Sequence, residues 1–111
     1  MTIKKFKKSK VLDNNSNIIL KTEIEFNTKT KTIINFSIIL VLFEKNYYYE
    51  IIKYDASHKY CHVHKFYENI NDQGKPILPS QISPKAISYF KNDVLKNWKD
   101  YSEKYKRKWL K

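Results

Sequence analysis

The stretch from Ser83 to Lys111 constrains the fold more than any other part of the chain. Ser83 can cap a helix with its hydroxyl, and Pro84 suits the first helical position, where no N–H is needed. Ile82 and Ile87 take the two places of a hydrophobic staple. From Ile87 onward, Phe90, Val94, Trp98, Tyr101, Tyr105 and Trp109 follow at steps of three or four. At ~100° per residue this stripe fills an arc of about 100°. Lysines and Arg107 occupy the other faces and crowd the last turns, where the helix dipole favours cations. The spacing predicts a basic amphipathic helix over 83–111, with its stripe packed on one face of a sheet.

The preceding residues read as that sheet. Residues 1–11 are a basic arm or a first strand. Asp13 to Asn17 is a polar turn. In the run from Ile18 to Phe26, Leu20, Thr22, Ile24 and Phe26 share one side, and Lys21, Glu23 and Glu25 the other. Thr32 to Glu44 is rich in β-branched and aromatic residues and predicts a long central strand. Lys45-Asn46 is a two-residue hairpin turn without the favoured glycine. Tyr47 to Tyr54 and Tyr60 to Tyr67 complete the pattern, and residues 68–82 form a loop. The expected fold class is α+β: one domain over 1–111, with a four-stranded antiparallel meander over 18–67 and one long C-terminal helix on one face.

A helix reaching residue 111 is ~42 Å long at ~1.5 Å per residue. A strand of eight residues spans ~27 Å. Tyr105 and Trp109 are therefore expected to overhang the sheet, as an edge for nucleobases, a partner protein or a homodimer contact.

Charge narrows the partners. The chain of 111 residues has a formal net charge of +11. Residues 1–11 carry five lysines and no acid, residues 83–111 have a net charge of +6, and the middle is neutral. This favours RNA or another polyanion. Solvated basic tails are the bland alternative. One cysteine cannot form an internal disulfide, which fits a reducing cytoplasm. No apolar run follows the basic N-terminus, and Ile33 to Phe43 is far too short for a membrane span. The expectation is a soluble cytoplasmic protein with no membrane contact. A single glycine, Gly74, argues against P-loop and dinucleotide-binding enzymes.

The chemistry concentrates in YDASHKYCHVHKFY, residues 54–67. All three histidines, His58, His62 and His64, lie there with the lone Cys61. On a strand His62 and His64 share one face with Tyr60 and Phe66, their Cα atoms ~7 Å apart, and Cys61 points away. His58 and Asp55 sit at or beside the turn. Three readings stay open. The histidines can be structural, with Asp55 making an Asx-type turn. They can hold a divalent metal through His58, His62 and His64. Or they can cleave RNA without metal. In that case His62 and His64 are the acid–base pair, with His58 and Asp55 orienting or sharing that role. Lys53 and Lys59, together with Lys104, Lys106, Arg107 and Lys108 on the helix, would hold phosphate.

Lys53-Tyr54-Asp55 followed by His62-Val63-His64 resembles small prokaryotic toxins of the TumE type, over about residues 47–67. The resemblance implies a growth-inhibiting toxin acting on RNA, held in check by an antitoxin encoded beside it. The sequence thus points to a toxin-like endoribonuclease. The rival is a non-catalytic basic inhibitor, phage- or plasmid-borne, that blocks a nucleic-acid-handling complex.

Overall fold

β-branched and aromatic runs broken by polar turns give six strands, and the capped, stripe-bearing segment gives one helix. In order these are β1 (Ile3–Val11), β2 (Ile18–Asn27), β3 (Thr32–Glu44), β4 (Tyr47–Asp55), β5 (His62–Lys65), β6 (Lys75–Pro76) and α1 (Pro84–Trp109). The structure is a computed structural model that describes residues 2–15, 17–56, 59–68 and 74–110. The strands form one antiparallel sheet in the order β1-β2-β3-β4-β5-β6.

The α+β class, the antiparallel meander and the long C-terminal helix match the expectation. The count of four strands does not. Of the two readings of residues 1–11, the first strand holds: residues 3–11 pair fully along β2, and Lys5 bridges to Glu23 at 3.2 Å and Glu25 at 3.6 Å. Lys75 and Pro76 add a sixth strand beside β5, within the stretch expected to be loop. β5 itself is shorter than the expected run from Tyr60 to Tyr67.

Local chemistry explains the connections. Lys45 and Asn46 take φ of 53° and 68°, the left-handed pair that a tight two-residue hairpin needs. Asp13 Oδ1 accepts from the backbone N–H of Asn17 and Ile18 and so closes the β1–β2 turn. Ser83 caps α1 by accepting from the Ala86 N–H at 3.0 Å, with Pro84 at the start of the helix.

The helix lies across β3 and β4. Phe90 is fully buried and stacks on Tyr54, with ring centroids 4.6 Å apart, and on Phe36 at 6.1 Å. Ile38, Leu40, Leu42, Ile51, Ile52, Ala86, Ile87 and Val94 complete the centre of this core. A bulge opposite Leu40 and Val41 gives β4 one extra residue. Ile51 and Ile52 are consequently both buried, and Tyr49 reaches the helix, where its ring meets Tyr105 at 6.1 Å.

The expected overhang is not found for Tyr105, which is buried; Trp109 stays exposed, with its indole N–H donating to the Phe66 carbonyl at 2.8 Å. The reason is strand length. The 13 residues of β3 span ~44 Å, and the 26 residues of α1 span ~39 Å.

Candidate functional site

Tyr54 and Val63 pair across β4 and β5 and face the core; Asp55 with His62, and Lys53 with His64, are the neighbouring cross-strand pairs. Alternation therefore turns Asp55, His62, Lys53 and His64 to the sheet face away from α1. The rings form a row along that face. Tyr60 to His62 is 5.5 Å between centroids, His62 to His64 is 5.6 Å, and His64 to Phe66 is 5.9 Å. Cys61 points the other way, as expected, and is fully buried with its thiol donating to the Gln81 carbonyl at 3.7 Å.

Asp55 is the hub. His62 Nε2 lies 2.6 Å from Oδ1, His64 Nε2 3.6 Å from Oδ2, and Lys53 Nζ 3.8 Å from Oδ2. Its side chain faces the histidines across the strand pair. Asp55, His62 and His64 bring one atom each of metal-ligand type within 4.8 Å of one another.

The two imidazoles share that face, as expected, but differ in exposure. His62 is 3% exposed, and its Nδ1 faces the Tyr60 carbonyl at 3.0 Å while Nε2 faces Asp55. It is placed to hold Asp55, because both nitrogens face protein oxygens. His64 is half-buried and retains a route to solvent. Burial holds its pKa below the ordinary histidine range. Asp55 opposes that shift, while His62 and Lys53 add to it. His64 is thereby biased toward the neutral imidazole that can accept a proton or a metal ion.

The remaining predicted residues divide. His58 lies outside the described residues. Lys59 is exposed on the connection after β4, in a left-handed conformation with φ of 71°. Lys104, Arg107 and Lys108 line one groove with Tyr67 and Glu68, just beyond β5. Lys106 is exposed on the same last turns. The basic end of the helix thus lies along the edge where the histidine strand ends. β1, with its five lysines, is at the opposite edge of the sheet.

Sequence reasoning missed two supports. A methyl group on Gly74 would lie 3.3 Å from His64 Cε1, so the chain's one glycine gives that ring its room; its φ of 73° also suits glycine alone. Asp93 accepts from the Tyr54 and Tyr101 hydroxyls and from Asn97. The i, i+4, i+8 spacing of Asp93, Asn97 and Tyr101 was the available signal for that cluster.

Beside the histidine row is a groove of about 500 Å³ lined by Tyr48, Tyr49, Glu50, Phe66, Glu68, Tyr105 and Trp109. No described helix is long and apolar enough to cross a membrane. No curated protein and no solved structure matches the chain. A family profile described as Domain of unknown function (DUF7718) matches residues 3–110, and the chain belongs to that family.

Proposed function

We propose that the chain binds and cleaves RNA as a toxin-like endoribonuclease. The observation that carries this reading is the meeting of Asp55, His62 and His64 around one carboxylate, with Lys53 beside them, on a chain of net charge +11. Cleavage of a phosphodiester by the neighbouring 2′-hydroxyl needs a proton acceptor, a proton for the departing 5′-oxygen, which water supplies, and cations for the anionic transition state. His64 is the imidazole with access, and its depressed pKa suits the acceptor role. Lys53 is the nearest cation. Asp55 and His62 act as positioning residues. The TumE-like pattern adds an antitoxin protein as the expected partner.

Labelled single-stranded RNA and DNA incubated with the purified protein test the reading. Cleavage of RNA that disappears in His64→Ala supports it. Undiminished cleavage by a folded His64→Ala variant removes His64 from the chemistry. Absence of cleavage of any RNA removes the enzyme reading.

A second reading, a non-catalytic basic binding protein, is favoured by β1. All nine of its residues are exposed, and its lysines line an edge strand with no neighbour beyond it among the described residues. Tight, salt-sensitive RNA or DNA binding without cleavage supports that alternative.

A further inference from the structure

We infer that Asp55, His62 and His64 bind one first-row divalent metal ion on the sheet face turned away from α1. The first support is convergence. One donor atom from each of these residues lies within 4.8 Å of the others. Small side-chain rotations suffice to place all three at ~2.0–2.2 Å from a shared ion.

The second support is an unsatisfied atom. Asp55 is 7% exposed, and its Oδ1 is buried and accepts no hydrogen bond. His62 Nε2 is 2.6 Å away without forming a hydrogen bond to it. A buried carboxylate oxygen without a donor is rare and calls for a missing cation, water or proton. Lys53 approaches the other oxygen, Oδ2, at 3.8 Å, which leaves Oδ1 for the ion.

The third support is the orientation of His62. Its Nδ1 faces the Tyr60 carbonyl at 3.0 Å, and a carbonyl can only accept. Nδ1 therefore carries a proton, and Nε2 is the nitrogen on the Asp55 side. Metal-binding histidines generally hold their second nitrogen in this way. The His64 ring stacks on Phe66 with centroids 5.9 Å apart and lies close beside Gly74.

Two imidazoles and one carboxylate suit Zn²⁺ and its first-row neighbours better than Mg²⁺ or Ca²⁺, which prefer oxygen donors. Among the described residues three donors converge, and Asp55 joins the expected His62 and His64, while His58 of the expected set lies outside the described residues. The inference uses the side chains of the RNA-cleavage reading but does not rest on it. With an ion bound, His64 would be a ligand, and hydroxide formed by loss of a proton from metal-bound water would be the proton acceptor.

The test uses the full chain without a histidine tag, stripped by chelator. Zn²⁺ alone is titrated by calorimetry, and Co²⁺ alone is followed by visible absorption. The expected result is one equivalent of Zn²⁺ per chain and ligand-field bands from Co²⁺. Affinity should fall about 100-fold or more in Asp55→Asn and in His64→Ala, with folding checked by circular dichroism. If Asp55→Asn does not fold, His64→Ala and His64→Gln decide the matter. Failure of the wild type to bind one equivalent, or wild-type affinity in a folded His64→Ala, overturns the site. RNA cleavage by stripped protein that takes up no metal overturns the site and leaves the RNA reading standing. Metal uptake with no cleavage by the loaded protein supports the site and removes the RNA reading.

Discussion

The Tyr54 hydroxyl donates to Asp93 Oδ2 at 2.5 Å, tying β4 to α1 one residue before Asp55 turns to the opposite face. Tyr101 donates to the same oxygen at 2.7 Å, and Asn97 donates to Oδ1 at 3.0 Å. One carboxylate on the helix thus fixes the strand that carries the hub of the site. Asp93→Ala removes the shared acceptor and leaves two part-buried phenols without it. We expect a loss of about 2–4 kcal/mol in urea unfolding, against about 1–2 kcal/mol for Tyr54→Phe. A loss below ~0.5 kcal/mol in Asp93→Ala would show that the cluster does not brace the fold.

The two site histidines should differ in what they do for stability. His62 is buried against Asp55, and His62→Ala empties a fully packed site. The expected cost is about 2–4 kcal/mol. His64→Ala, at a half-buried position, should cost about 1 kcal/mol or less. Chemical denaturation of the two variants side by side checks the ordering, and equal losses would contradict it.

Gly74→Ala combines a backbone and a steric penalty. Its φ of 73° disfavours any side chain, and the new methyl would meet His64 at 3.3 Å. A destabilisation of about 1–2 kcal/mol is expected, together with weaker binding of Zn²⁺ as the ring shifts. Gly74→Ala with wild-type stability and wild-type metal affinity would show that the loop yields freely.

Alkaline pH should unfold the protein through its tyrosines. Burial, then the nearby Asp93 carboxylate, raises the Tyr54 and Tyr101 phenols well above their ordinary range; burial, then Glu68, does the same for Tyr67. For a group whose pKa is raised on folding, stability is intact below the unfolded value near ~10 and declines as pH climbs beyond it. Unfolding free energy measured from pH 8 to 11.5 (~pH values spanning that phenol range) should be flat and then fall. The fall should be shallower in Tyr54→Phe.

Cys61 should be inert in the native protein. It is fully buried, and burial raises its thiol pKa, so both access and thiolate are lacking. Thiol-specific alkylation followed by mass spectrometry should label it only with denaturant. Rapid native labelling would mean that the β5 region opens readily.

The sequence by itself determined the elements that obey a period or a cap. Ser83-Pro84 and the stripe from Ile87 to Trp109 set the helix, because capping and apolar spacing act within a few residues. Alternation likewise placed His62 and His64 on one face with Phe66, and Cys61 on the other. Tertiary structure alone decided the rest. The pairing of residues 3–11 with β2, the sixth strand at Lys75–Pro76, and the closing of Trp109 onto Phe66 all join positions distant in sequence. Local propensity carries no term for such contacts. The same holds for the site: which oxygen of Asp55 meets which histidine, how deeply His62 sinks, and how near Gly74 approaches His64. Those follow from strand register and from the bulge in β4, which are settled by packing against α1.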